Sequence, residues 1–274
     1  MIGRAARLFL RSFPSYSASV KLSAPIRALV GAAALAVLVA CGDAGPPGSP
    51  DSPRSPRSIG GAERALLDAP AEGSGNEIFT VWDLDIPGDA PRVVFLGDSI
   101  AAGLHLAEHE AFPAILQVRL VQDGLPFDLV NASESGRTTA GGLTTLPWVM
   151  QREPDLVVLE LGGNDGLRGV DLDVIETNLR ELVTKAREGG ARVLLLGMRL
   201  PPNYGDYGEA FDAIYPRLAE EIDVAFEPYF MREVGGVADM TLKDGLHPTA
   251  KGQVRLADNV EPALRAALRE LERP

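Results

Sequence analysis

Between residues 92 and 271, short apolar runs alternate with stretches of helical length, and few folds accommodate this alternation. Four apolar runs and one shorter run predict strands, namely 92–96, 127–131, 156–161, 192–198 and part of 225–230. Strands that alternate with helices of this length form a parallel sheet, and helices cover both faces of such a sheet. The sequence therefore predicts an α/β fold.

The stretches between the runs have the spacing of helices that bury one face. Asp171 and Thr249 are candidate N-caps of the two longest helices. The residues expected to face the core are Val174, Ile175, Asn178, Leu179, Leu182 and Val183 in the first helix, and Val254, Ala257, Val260, Leu264 and Leu268 in the second. Further helices are predicted at 112–123, 143–150 and about 209–221.

Polar and small residues cluster where the predicted strands end. These clusters are 97–99, 131–136, 162–165 and 198–204. In open parallel sheets the reactive groups gather beyond the carboxyl ends of the strands. The clusters therefore predict a functional crevice at that edge of the sheet.

Ser99 lies at the turn after the first strand and is a candidate nucleophile. A nucleophilic serine needs a base within hydrogen-bond reach and a third group to orient that base. His105 and His109 follow Ser99 too closely and are expected at a loop or helix surface. His247 lies three residues after Asp244, so a short loop can carry both, and Asp244 can accept a hydrogen bond from the imidazole. An ordinary Asp-Gly turn with an exposed histidine is the alternative.

A serine nucleophile acting on a carbonyl also requires donors for the oxyanion. Asn164 follows Gly162-Gly163 at the end of the third strand, and Gly136 follows the second strand. The Asn164 amide and the Gly136 N–H are candidate donors. Ordinary turn chemistry explains either residue taken alone.

Four segments of the chain together resemble one family. Gly97-Asp98-Ser99-Ile100, Gly136, Gly163-Asn164-Asp165 and 244–247 resemble, in order, the four blocks of the SGNH (GDSL-type) hydrolases. The segments 131–136, 160–169, 199–205 and 209–216 are similar to the bacterial thioesterase I branch, which also has lysophospholipase and arylesterase activity. Ile100 replaces the leucine of the name-giving pattern, a substitution of similar volume.

The resemblance implies both a fold and a set of roles. The fold is a flavodoxin-like, three-layer α/β/α arrangement with a five-stranded parallel sheet. Ser99 is the implied nucleophile, His247 the general base and Asp244 its partner. The N–H groups of Ser99 and Gly136 and the side chain of Asn164 are the implied oxyanion donors.

The segments 136–146 and 199–207 are expected to wall the crevice. Their apolar members suit an acyl chain or aryl ester and are Leu143, Leu146, Leu200, Pro201 and Tyr204. A deacetylase acting on envelope carbohydrate is an alternative, which the scarcity of tryptophan (Trp82 and Trp148) mildly disfavours. A non-catalytic binding module is a second alternative, which the presence of all three triad residues disfavours.

The N-terminus predicts export and lipid anchoring. Residues 1–40 contain five basic and no acidic residues and end in an uncharged apolar run at 28–40, which is typical of a signal peptide. Leu38-Val39-Ala40-Cys41 resembles a bacterial lipobox, and Cys41, the single cysteine, is the predicted lipid attachment site. Residues 41–90 are predicted to be a disordered Gly/Pro/Ser-rich tether, and residues 91–274 the hydrolase domain. The expected location is the extracytoplasmic side of the cell envelope.

The charge and the histidine and cysteine content of the chain limit the kinds of partner that are expected. The formal net charge is −12 and no basic stripe is present, which disfavours nucleic-acid binding. Three scattered histidines and one cysteine do not form a metal-ligand pattern. The expected partners are therefore a small-molecule acyl ester or thioester and, through Cys41, a membrane, with no cofactor and no metal.

Overall fold

The structure is a computed structural model, and it describes residues 84–272. The predicted signal peptide, Cys41 and nearly all of the predicted tether lie outside the described residues. Within residues 84–272, no helix is both long enough and apolar enough to cross a bilayer.

Five parallel strands form one sheet in the order β2-β1-β3-β4-β5. Their bounds are β1 Arg92–Gly97, β2 Asp128–Asn131, β3 Leu156–Glu160, β4 Arg192–Leu196 and β5 Ala225–Glu227. Every residue of β3 is buried, as are all residues of β1 after the first. Apolar side chains on both faces of the central strands explain why these runs lack polar alternation. The predicted five-stranded parallel sheet is confirmed.

Seven α-helices accompany the sheet in the described part of the chain. They are α1 Phe112–Gln122, α2 Thr139–Met150, α3 Gly163–Leu167, α4 Leu172–Glu188, α5 Gly205–Asp212, α6 Ile214–Glu221 and α7 Ala250–Leu271. Helix α1 packs against α7, whereas α2 packs against α4, which also contacts α6. From β1 the chain passes to β2 at one edge of the sheet, whereas from β3 it passes to β4 toward the other edge. Because both connections are right-handed, their helices α1 and α4 lie on opposite faces of the sheet. The result is the expected three-layer α/β/α arrangement.

The helix boundaries agree with the sequence where a cap residue is visible. Asp171 accepts a hydrogen bond from the Asp173 N–H (2.9 Å), and the Thr249 hydroxyl accepts one from the Gly252 N–H (3.2 Å). Both predicted caps are confirmed. The predicted helix at 209–221 is instead two short helices, α5 and α6.

Helix α2 begins at Thr139, four residues before its predicted start. The Thr138 hydroxyl accepts a hydrogen bond from the Gly141 N–H (3.1 Å). The buried carboxylate of Asp165 accepts bonds from the Thr139 N–H (2.8 Å) and hydroxyl (2.7 Å). A side chain distant in sequence therefore fixes this end of the helix, which the local pattern does not show.

Two valines predicted to face the core are exposed. Val174 is 48% and Val254 43% exposed, so these two assignments are wrong. Ile175 and Gln253, the adjacent residues, are buried instead. Because successive residues on a helix are 100° apart, a residue next to the buried stripe turns toward solvent.

Candidate active site

Ser99 lies in the turn that follows β1, and side chains from α7 and β2 hold this turn in place. The Gln253 amide on α7 donates to the Ile100 carbonyl (2.9 Å), and its oxygen accepts from the Phe112 N–H at the start of α1 (2.9 Å). The Asn131 amide at the end of β2 donates to the Ala101 carbonyl (2.8 Å). The hydroxyl of Ser99 is thus presented by a fixed backbone.

The structure brings Ser99, His247 and Asp244 together. The Ser99 Oγ lies 2.9 Å from His247 Nε2, although the two residues are 148 positions apart. His247 Nδ1 lies 2.7 Å from Asp244 Oδ2. The other Asp244 oxygen accepts the N–H groups of Leu246 (2.9 Å) and His247 (3.0 Å). The carboxylate is therefore oriented by the same turn that carries the imidazole.

The charge on Asp244 is strongly favoured. The hydrogen bond from His247, followed by the bond from the Leu246 N–H, lowers the pKa of Asp244 to about 2. A charged acceptor at Nδ1 favours the imidazole tautomer that carries its proton there. Nε2 is then free to accept the Ser99 proton, as a general base requires.

Asn164 is the second residue of α3, opposite the Ser99 turn. Its Nδ2 donates to Asp98 Oδ2 (3.0 Å), and its Oδ1 accepts from the Arg168 guanidinium (3.4 Å). One amide N–H is thus engaged by Asp98, and the second has no acceptor among the described residues. Gly162 precedes α3 with φ +117°, and a Cβ there would overlap the Tyr215 hydroxyl. The turn that presents Asn164 therefore requires glycine.

Gly136 is exposed in the loop between β2 and α2. Its carbonyl accepts from the Arg168 guanidinium (3.3 and 3.4 Å), and its N–H donates to no other group in the described part of the chain. Arg168 therefore links the loop that carries Gly136 to Asn164 in α3. His105 and His109 are exposed, as predicted.

A cavity of about 630 Å³ opens beside Ser99 and His247. Leu200 and Pro201 line it as expected, but Leu143, Leu146 and Tyr204 do not. Because α2 begins early, Leu146 is buried in the core and Leu143 packs against it. Further lining comes from a segment for which no part in the site was predicted, through Tyr229, Met231, Gly235 and Gly236.

Sequence reasoning missed several residues that shape the site, including Asp98, Glu160, Arg168 and Gln253. Glu160 carried a usable signal, because it is an acidic residue at the end of an otherwise apolar strand in the centre of the sheet. Such a residue is rarely buried without a specific partner. Gln253 contacts the site across a long sequence separation. Asp98 and Arg168 lie close in sequence to Ser99 and Asn164, but the sequence alone does not show which groups they bind.

A serine, a histidine and an aspartate hydrogen-bonded in this order form the arrangement of serine hydrolases. Residues 95–255 match the model of the GDSL-like lipase/acylhydrolase family. The chain belongs to this family and is an enzyme of the ester-hydrolase class.

Individual relatives agree with this assignment. Esterase TesA of Pseudomonas aeruginosa is 48% identical over 181 residues, which cover 65% of this chain and 90% of that protein. Thioesterase 1/protease 1/lysophospholipase L1 of Escherichia coli K12 is 42% identical over 171 residues, with 62% and 81% covered. A crystal structure of TesA superposes with a TM-score of 0.63 at 47% identity, covering 64% of this chain and 99% of that one.

Proposed function

We propose that the protein hydrolyses acyl esters and thioesters through a covalent acyl-enzyme formed on Ser99. The observation that carries this proposal is the hydrogen-bonded sequence from Ser99 Oγ through His247 to Asp244. The names of the relatives, which include esterase, thioesterase and lysophospholipase, support the same substrate class.

The geometry suggests the order of the steps. His247 Nε2 takes the Ser99 proton as Oγ bonds to the substrate carbonyl carbon, and Asp244 remains charged throughout. The oxyanion of the tetrahedral intermediate accepts the N–H groups of Ser99 and Gly136 and the free N–H of Asn164. His247 then protonates the departing alcohol or thiol. A water molecule attacks the acyl-enzyme in the same manner and releases the acid.

The cavity suits an acyl chain better than a sugar. Its lining includes five aliphatic or sulfur-containing side chains, namely those of Ile100, Leu167, Met198, Leu200 and Met231. Apolar walls with few fixed donors favour binding by burial of apolar surface. At the rim, the Arg199 guanidinium stacks 4.7 Å from the centre of the Tyr229 ring.

We further propose that the enzyme is held at the extracytoplasmic side of the cell envelope by a lipid on Cys41. The lipobox-like residues 38–41 and the polar segment that follows them support this proposal. A flexible tether of 50 residues would span roughly 35–42 Å on average. The catalytic domain could then reach substrates away from the lipid surface.

Ser99→Ala is expected to abolish turnover of p-nitrophenyl esters, because the nucleophile is removed while the fold is kept. The measurement is a panel of p-nitrophenyl esters of increasing acyl length, together with labelling by a fluorophosphonate probe. Ser135→Ala changes an exposed serine outside the hydrogen-bonded triad and serves as the control. Labelling of the Ser99→Ala protein at another serine would contradict the assignment.

Asn164→Ala is expected to lower kcat by about 10²–10³, equivalent to roughly 2.7–4 kcal/mol, with little change in KM. Some stability is also lost, because Asp98 then lacks one of its donors. Asn178→Ala removes a comparable amide that donates to the Thr139 hydroxyl, and it should reduce stability without changing kcat. A normal kcat in Asn164→Ala would remove this residue from the oxyanion site.

Cys41→Ser is expected to move the protein from the detergent phase to the aqueous phase in detergent phase partitioning, because the acyl chains of the anchor are lost. Ser58→Ala, a change elsewhere in the predicted tether, is the control and should partition as the unmodified protein does. If Cys41→Ser still enters the detergent phase, the anchor is not at Cys41.

A further inference from the structure

Two buried carboxyl groups lie side by side directly beneath the Ser99 turn. Asp98 precedes the serine, and Glu160 ends β3 opposite Gly97 of β1. Asp98 is 2% exposed and Glu160 is completely buried, and their side chains are within hydrogen-bond reach of each other. Two carboxylates cannot both be charged at such a position without a large cost, so the pair must hold a proton.

The hydrogen bonds distinguish the two groups. One Asp98 oxygen accepts the Ile100 N–H (3.0 Å) and the other accepts the Asn164 amide (3.0 Å). Glu160 Oε2 accepts the N–H groups of Asp98 (3.0 Å) and Ala101 (3.4 Å). Glu160 Oε1 is the one oxygen of the pair that receives no donor from the described residues. An acid proton fits on Oε1, from which it can be donated to Asp98.

The surroundings favour an uncharged Glu160. Burial, and then the charge of Asp98, raise the pKa of Glu160 well above its ordinary range. Tyr215 on α6 is fully buried nearby and donates to the Leu161 carbonyl (3.0 Å). Positive charge on the His247 imidazole lowers the pKa of Asp98, the other member of the pair. Arg137 donates to the Gly97 carbonyl (3.2 Å) and pairs with Glu134. Within residues 84–272, therefore, no cation contacts the Glu160 carboxyl.

We propose that Glu160 is a positioning residue that donates a proton to Asp98 and so keeps Asp98 available to hold the Asn164 amide. Asp98 binds one N–H of Asn164, and Arg168 binds the amide oxygen. The second N–H is then fixed in one direction, toward the oxyanion. This inference rests on the proposed role of Asn164, and Glu160 itself does not touch the substrate.

Two substitutions of Glu160 distinguish the effect of its donated proton from the effect of its side-chain volume. Glu160→Gln keeps both: its amide N–H donates permanently to Asp98, and its oxygen accepts the backbone N–H groups. Glu160→Leu keeps only the approximate volume. Glu160→Gln should retain kcat within about threefold, whereas Glu160→Leu should lower kcat on the order of 10- to 100-fold at unchanged KM, because Asp98 then lacks its donor and no longer fixes the orientation of Asn164. The control is Gln117→Leu, which removes a buried amide on α1 that donates to the Phe127 carbonyl and lies outside the hydrogen-bonded triad.

A double-mutant cycle tests whether Glu160 acts through Asn164. The kcat of Glu160→Leu combined with Asn164→Ala should match that of Asn164→Ala alone, because the positioned group is already absent. Multiplicative losses would overturn the proposal. A loss in Asn164→Ala without one in Glu160→Leu would overturn this inference alone, whereas a normal kcat in Asn164→Ala would overturn both this inference and the oxyanion role.

Stability against pH provides a readout that is independent of activity. A carboxyl group whose pKa is raised on folding contributes stability below its unfolded pKa, and this contribution is lost as pH rises toward the folded pKa. The melting temperature of the unmodified protein should therefore fall relative to that of Glu160→Gln between pH 5 and pH 9. A difference that is constant over this range would show that Glu160 is charged and would overturn the proposal. If Glu160→Leu does not fold, this comparison and the kcat of Glu160→Gln decide the question.

Discussion

The parallel pairing of β1 with β3 sets the relative position of the turns that carry Ser99 and Asn164. Its last register pair is Gly97 and Glu160, and a side chain at Gly97 would overlap the Glu160 carboxyl. Because the two strands end together, the turn that carries Ser99 and the turn that carries Asn164 emerge side by side. This is also where the strand order reverses, between β2-β1 and β3-β4-β5, and crevices in open α/β sheets form at such points.

Besides the turns of Ser99 and Asn164, the site contains a third segment, the turn of Asp244 and His247 near the C-terminal end of the chain. Asp244 and His247 share one short turn, so their mutual geometry is local and does not depend on the sheet. What the fold must supply is the approach of this turn to Ser99. The long helix α7, which begins just after the turn, provides it, because Gln253 on that helix bonds directly to the Ser99 loop. Packing of α7 against α1 and the sheet is thus coupled to the alignment of His247 with Ser99.

The strands were predictable because buried parallel strands are short apolar runs, and the residues that follow them were predictable because polar clusters mark their ends. The Asp244-His247 pair was predictable because its spacing is local. The residues that line the cavity were only partly predictable. The early start of α2 depends on Asp165, which lies 26 residues from Thr139 and contacts it only in the folded chain. Glu160 was overlooked for a different reason, because one charged residue scarcely changes the apolar character of its strand.

The proposed mechanism passes through an acyl-Ser99 intermediate, which is the same whichever leaving group has departed. The most direct measurement offers hydroxylamine as a competing nucleophile and determines the ratio of hydroxamate to free acid from an aryl ester, an alkyl ester and a thioester of the same acid. A common acyl-Ser99 intermediate predicts one ratio for all three substrates, whichever step limits the rate. A ratio that changes with the leaving group would mean that water or hydroxylamine attacks the substrate directly, and would contradict the nucleophilic role of Ser99.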